Sequence, residues 1–376
     1  MNNRWRDVIK AQPMFDVLSA ANAREKTGQY VARMEIGDTP GFRNDFMHEL
    51  LAKYVSQDHR YSPSAGEPSL IQALFSSQWP TYSQEKYSIS VAPANFLITA
   101  ALAAVTSPGD SVYIPDPGFP TYKLACDFLG LVSIPYSVYP IHNDSFPTLD
   151  EHVASAKPKA IIVNNPSNPL GQAFDGQQIY NSIKSLTDSG VQVIIDETYI
   201  NLVYETIDCE IPNATAIRIR SFSKEHCAPG LRLGYAIAPK EFAQVISDFV
   251  SLTISCAPKF IQLAAAEYLS SENSLMFREE VKKEMASRFH KLTEFVPRVL
   301  LRQLPNSAFY AMIETGDDIR SFNFLLENGV ATCPGSKFGN YAQGAIRVSL
   351  AGSAITLDKD LELLGSALVK WQAANS

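Results

Sequence analysis

The amino-acid sequence predicts an α/β fold: a mostly parallel sheet sandwiched by helices, with a smaller α+β domain beside it. Three observations predict it. Short runs rich in Val and Ile recur at 111–114, 131–134, 159–163, 191–195 and 216–220, with helical spacing between them. Phe119, Asn168, Asp196 and Lys224 each fall just past the carboxyl end of one such run, the edge at which open α/β sheets bind ligands. After about residue 255 the alternation gives way to long amphipathic helices over 259–300 and then to isolated strand-like runs.

Taken in order, Met14, Val17, Leu18 and Ala21 share a helical face in an N-terminal arm of about 35 residues. Ile36-Gly37-Asp38-Thr39-Pro40-Gly41 is a turn-rich break. Phe46, Leu50, Leu51 and Tyr54 predict a helix over 45–57. Tyr61 sits in a Ser/Pro/Gly loop, 60–66, and Pro68 opens the next helix. A short strand, 88–91, leads to Ala94-Asn95-Phe96, where an apolar helix to Val105 begins. The free amides and partial positive charge of that helix start make an anion seat. The run 216–220 delivers Ser221, Ser223 and Lys224, and Gly230 and Gly234 bracket a second cation, Arg232. Beyond the long helices come a strand over 307–313, a helix over 319–326, a strand and loop over 329–339, a strand over 345–350 and a last helix over 357–372. The expected division is an arm and part of the small domain at 1–45, a large domain at 46–260 and a small C-terminal domain at 261–376.

A chain of 376 residues, 46% hydrophobic and 19% charged, has the composition of a globular enzyme with two domains or one large one. A net charge of −7 argues against nucleic acid as the partner. The five cysteines are scattered and odd in number, with no CxxC and no Cys/His cluster, so neither a disulfide framework nor a metal site is expected. The polar N-terminus leads into no apolar segment, and no apolar run is long enough to span a bilayer. A cytoplasmic protein without membrane partners is the expectation.

Small hydroxyls, an amine and a guanidinium close together suit a carbonyl compound that carries a phosphate. With a flat ring, a carboxamide and a carboxylate at neighbouring strand ends, one cofactor explains the set: pyridoxal 5'-phosphate (PLP). In that reading Lys224 forms the imine and shuttles the α-proton. Asp196 pairs with the pyridine nitrogen and keeps the ring an electron sink. Asn168 and Tyr199 hydrogen-bond the phenolic oxygen, and Phe119 stacks on the ring. Ser221, Ser223, Arg232 and the amides of Ala94, Asn95 and Phe96 hold the phosphate.

Six motifs in one order carry a family likeness. They are the Tyr-Ser-Pro-Ser-Ala-Gly loop at 61–66, Pro-Gly-Phe-Pro-Thr-Tyr at 117–122, Asn-Pro-Ser-Asn-Pro-Leu-Gly at 165–171, Asp-Glu-Thr-Tyr at 196–199, Ser-Phe-Ser-Lys at 221–224 with Gly-Leu-Arg-Leu-Gly-Tyr at 230–235, and the stretch from Gly329 to Arg347 and Ala351. From about Gly37 to the last helix the chain resembles the class I/II aminotransferases, the aspartate-aminotransferase-like PLP enzymes of fold type I.

The resemblance implies a large domain built on a mostly parallel seven-stranded sheet. It implies an aminotransferase of amino acid metabolism or biosynthesis that moves an amino group between an amino acid and a 2-oxo acid, with Lys224 as the Schiff-base lysine and Asp196 and Tyr199 beside it. It implies an obligate homodimer with shared active sites, in which Tyr61 reaches the cofactor phosphate of the other subunit. Arg347 resembles the arginine that grips the substrate α-carboxylate, and a bidentate fork suits that role. Gly37 resembles the glycine whose backbone lies beside that carboxylate, and Asn168 belongs to the same substrate site.

Several positions depart from the family's wording. Leu170 stands where Thr is common, Ser307 where Gly is usual, and Ala94-Asn95-Phe96 where Gly/Ser-rich or Ala-Lys pairs are common. The phosphate cup is therefore expected to lean on backbone amides and Ser221. Glu225-His226-Cys227 is more polar than the small apolar residues usual after the lysine. No residue forms a clear second carboxylate site; Lys259 and a side chain near Phe42 are the candidates. Elimination, decarboxylation, cyclisation or oxidation of an amino acid would use the same cofactor residues, and fold alone does not choose among them. A regulatory sensing domain would carry a DNA-binding module ahead of Gly37, for which about 35 residues are too few. A dehydrogenase would need a GxGxxG after a strand, and none follows one.

Overall fold

The computed structural model describes residues 9, 11–39, 41–57, 60–139, 157–212 and 215–375. Part of the expected arm, 1–8, and Pro40 of the turn-rich break lie outside the described residues. Helix α1 (Met14–Glu25) precedes a two-residue strand, β1 (Ala32–Arg33). Helix α2 (Asp45–Val55) begins where the Asn44 side chain accepts from the Met47 amide at 3.1 Å, a side-chain N-cap. Helix α3 (Pro68–Gln78) begins at Pro68, whose missing N–H costs nothing there.

The central sheet follows: β2 (Tyr87–Val91), helix α4 (Ala94–Val105), β3 (Ser111–Asp116), helix α5 (Thr121–Leu129), β4 (Val132–Ser137), β5 (Ala160–Asn164), helix α6 (Gly176–Asp188), β6 (Gln192–Asp196), β7 (Ile217–Ser221), β8 (Gly234–Pro239) and helix α7 (Lys240–Ile254). Seven strands lie in the order β2-β8-β7-β6-β5-β3-β4. Only β8 runs against the others. This is the seven-stranded, helix-covered sheet of fold type I.

Side chains alternate across a strand, so one Val/Ile-rich run feeds two cores. In β5, Ala160 and Ile162 pack with α4, α5 and α7, while Ile161 and Val163 pack with α6 and α1. Each fully buried aliphatic side chain of this kind stabilises by about 1.5–3 kcal/mol. Helix α7 is an element that the strand alternation passes over; its face of Ala243, Ile246 and Val250 belongs to the first of these cores.

The rest of the chain comprises α8 (Lys259–Leu269), α9 (Glu272–Phe295), β9 (Tyr310–Glu314), α10 (Asp318–Glu327), β10 (Val330–Ala331), β11 (Cys333–Pro334), β12 (Ala345–Ser349) and α11 (Leu357–Asn375). Strands β11, β12 and β9 form an antiparallel sheet. Ala32 of β1 pairs with Val330 of β10, so the N-terminal arm joins the C-terminal layer. A boundary at 260 falls inside α8, whose Ala264, Ala265 and Tyr268 share a core with Met47, Leu50, Leu74 and Val91. We propose that the large domain runs to the end of α8, because a cut at 260 would separate that helix from its packing partners.

Candidate active site

One edge of the sheet collects the chemistry. Strands β3, β5, β6 and β7 run in one direction, so their carboxyl ends carry Phe119, Asn168, Asp196 and Lys224 to the same side. Strand β2 ends there too and hands over to α4, and the reversed β8 starts there just after Arg232. A cavity of about 430 Å³ opens at this edge. Gly37, Ala94, Asn95, Phe119, Asn168, Asp196, Tyr199, Ser221, Ser223, Lys224, Arg232 and Arg347 all line it.

Phe96 does not line the cavity. Its amide donates to the Pro93 carbonyl at 2.9 Å, and its ring packs on Phe249 with centroids 5.4 Å apart. Helical phase explains this: Ala94, Asn95 and Ile98 share the cavity face, and Phe96 points the other way. Tyr61 is 84% exposed and does not line the cavity.

The Lys224 Nζ donates to the Gly37 carbonyl at 2.6 Å. Gly37 has no room for a side chain, since a Cβ there would stand 1.9 Å from the Tyr310 hydroxyl. Tyr310 in turn meets Tyr199, their hydroxyls 3.0 Å apart. Burial pushes the Tyr199 phenol well above its ordinary range.

Asp196 is a buried carboxylate, 5% exposed. The Tyr122 hydroxyl donates to its Oδ2 at 2.8 Å, and Thr198 donates to Oδ1 from its hydroxyl at 2.6 Å and its amide at 3.1 Å. Burial pushes the Asp196 carboxyl up, and the hydrogen bonds from Thr198 and Tyr122 oppose that rise. Among the described residues no cation pairs with Asp196. Neighbouring Glu197 takes both nearby guanidinium groups, Arg218 and, at 2.8 Å, Arg220. Tyr122 is the cavity-lining partner of Asp196 that strand-end reasoning misses. The available signal was its place three residues after Phe119, in the first turn of α5, where the two rings meet edge-on with centroids 5.9 Å apart.

Arg347, in β12, is 3% exposed and clamped between two rings, 4.3 Å from the Tyr310 centroid and 4.6 Å from that of Phe338. Its Nη1 donates to Asn168 Oδ1 at 2.9 Å and its Nη2 to the Glu35 carbonyl at 2.7 Å. Its Nε finds no partner among the described residues.

Hydroxyls and a cation gather at the start of α4. Ser221 donates to Ser223 Oγ at 2.9 Å, and Arg232 Nη2 donates to Asn95 Oδ1 at 3.3 Å. No side chain caps α4, which leaves the amides of Ala94 and Asn95, two residues that line the cavity, as its anion seat.

The polar residues after the lysine turn away from the cavity. Glu225 and His226 are buried. Glu225 accepts from Asn201, lies 3.3 Å from His226 Nε2 and 3.6 Å from Arg278 Nη1. Burial alone would raise the Glu225 carboxyl, but His226, Arg278 and Asn201 hold it down at about 2. The His226 ring stacks on Phe222 at 4.7 Å. Lys259, one candidate for a second carboxylate site, does not line the cavity; Phe42, near which the other was expected, lines a separate cleft with Arg43 and Arg288.

Fold and site together define an enzyme of the fold type I class, with a lysine, a buried aspartate and an aromatic-clamped arginine at the carboxyl edge of the sheet. Residues 43–363 match the family model for aminotransferase class I and II, and the chain belongs to that family. It is 29% identical to the (5-formylfuran-3-yl)methyl phosphate transaminase of Methanocaldococcus jannaschii, over 95% of this chain and 96% of the relative. It is 29% identical to the aspartate aminotransferase of Pyrococcus horikoshii, over 82% of this chain and 83% of the relative. The structure of Thermus thermophilus aspartate aminotransferase with maleate superposes with a TM-score of 0.89 at 24% identity, covering 98% of this chain and 99% of that one. No described helix is long and apolar enough to cross a membrane.

Proposed function

We propose that the protein is a PLP-dependent aminotransferase that uses Lys224 to exchange an amino group between an amino acid and a 2-oxo acid. The observation that carries the cofactor assignment is Asp196: a buried carboxylate, held in place by Tyr122 and Thr198, with no cationic partner among the described residues. Such a group is completed by a ligand that brings its own N–H cation, as a pyridinium does. The other donors fit the same molecule. Lys224 offers the amine, Phe119 a ring face, Asn168 and Tyr199 hydrogen bonds, and Ser221, Ser223, Arg232 and the α4 amides an anion seat.

When bound, PLP supplies an electron sink for the carbanion that forms at the amino acid's α-carbon. The protein's own groups do the rest. Arg347, oriented by its two flanking rings, binds the α-carboxylate through its remaining N–H donors. The Lys224 Nζ takes the α-proton and returns it. Tyr61, exposed on this protomer, serves the phosphate of the neighbouring subunit in a homodimer, which accounts for its absence from its own cavity.

A donor screen tests this. The cofactor-loaded protein is mixed with single amino acids while its visible absorbance is followed and the product is identified by mass. The expected product is the 2-oxo acid of the donor, regenerated to an amino acid by a second oxo acid. A decarboxylated or eliminated product would overturn transamination, and a protein that takes up no PLP would overturn the cofactor assignment.

A further inference from the structure

We infer that the amino-acid substrate carries a neutral, apolar side chain, aliphatic or aromatic, and not a second carboxylate. The inference rests on the aminotransferase reading above, with Arg347 as the α-carboxylate site.

Arg347 and the Gly37–Lys224 contact fix one end of the substrate. What the side chain meets is then set by the two segments that wall the cavity beside them. Ile36 and Asp38 flank Gly37 and line the cavity with it. The segment 12–15 crosses from one side of the site to the other. Its Met14 Sδ lies 3.2 Å from Cys333 Sγ, and Cys333 is the register partner of Arg347. Its Gln12 Nε2 donates to Thr121 Oγ1 at 2.5 Å, two residues past Phe119. Met14 and Phe15 are thereby laid along the cavity between the carboxylate site and the ring face, and both line it.

These walls are apolar and incompletely covered: Phe15 is 55% and Ile36 37% exposed. A ligand side chain lying on them removes apolar surface from water on both partners. The charges point the same way. Among the described lining residues the cations are Lys224, Arg232 and Arg347, each already committed. Asp38 is the charge on the substrate wall, and it repels a second carboxylate.

The test uses the cofactor-loaded full chain. Rates of absorbance change give kcat/KM for phenylalanine, leucine, aspartate and glutamate; the neutral pair should exceed the acidic pair by at least about tenfold. Calorimetry with the unreactive 3-phenylpropionate and succinate gives a readout free of turnover, and 3-phenylpropionate should bind more tightly. Phe15→Ala should lower the phenylalanine-to-alanine ratio of kcat/KM by about tenfold, and Asp38→Asn should raise the aspartate-to-leucine ratio. Aspartate or glutamate at parity or better, or succinate binding as tightly as 3-phenylpropionate, overturns the inference and leaves the aminotransferase reading intact. No response to any amino acid overturns that reading instead, and the calorimetric comparison still decides the side-chain preference.

Discussion

Replacing Tyr122 with Phe removes one oxygen from the site and keeps the ring that packs edge-on against Phe119 at 5.9 Å. The lost group is the 2.8 Å donor to Asp196 Oδ2. A hydrogen bond to a charged group is worth about 1.5–3 kcal/mol. Without that donor the Asp196 carboxyl should rise further above its ordinary range, because the hydrogen bond from Tyr122 is one of the contacts that oppose the rise caused by burial. Thr198 still donates twice to Oδ1, so the carboxylate stays positioned but is easier to protonate. A protonated Asp196 no longer pairs as an anion with a cationic ring nitrogen. The expected outcome is a PLP dissociation constant about tenfold higher near neutral pH, with the difference from wild type growing as pH falls. Fluorescence titration of the cofactor-free protein across pH 5–8 reads both effects. Tyr122→His, which can donate from a ring N–H, should recover part of the affinity. Unchanged PLP affinity and an unchanged pH profile in Tyr122→Phe would refute the assignment of Tyr122 as the group that keeps Asp196 ionised.

Arg347→Lys keeps the charge but loses the planar fork held between Tyr310 and Phe338; KM for the amino acid should rise at least tenfold while PLP uptake is retained, as steady-state kinetics would read. Glu225 sits at about 2 against an ordinary 4.5, so its contribution is complete above pH 4.5 and is lost as pH falls toward 2. Urea unfolding should therefore show wild type losing about 3 kcal/mol more than Glu225→Gln over that acid window, and the variant less stable by a similar amount at pH 7. Gly37→Ala places a methyl against the Tyr310 hydroxyl and should impair substrate turnover more than cofactor uptake. Mixing inactive Lys224→Ala and Tyr61→Phe proteins should restore partial activity through hybrid dimers; no restoration would contradict a shared site.

The residues at strand ends were legible because a short, continuous Val/Ile-rich run announces where a buried strand stops, and parallel strands stop on one side. That logic reaches Phe119, Asn168, Asp196 and Lys224. It does not reach contacts made by remote segments. Tyr122 meets Asp196 across 74 positions of sequence, and Glu225 is held by Asn201 and Arg278 from separate elements. The polar stretch after Lys224 stood out in the sequence, but nothing local says whether such residues face a cavity or a buried network. Phe96 shows the reverse limit: a helix start was visible, while the phase that turns Phe96 toward Phe249 depends on how α4 is rotated against α7. Helical spacing likewise marked the apolar face that opens at Phe260, but helical spacing reveals a buried face without revealing which core buries it, and α8 shares its core with Met47, Leu50, Leu74 and Val91.

The role of Lys224 as the residue that binds PLP is most directly tested by borohydride treatment of the PLP-loaded protein followed by peptide mass mapping. A pyridoxyl group on the peptide at Lys224, absent in Lys224→Ala, is the predicted result. An unmodified Lys224, or a pyridoxyl group carried mainly by another lysine, would contradict it.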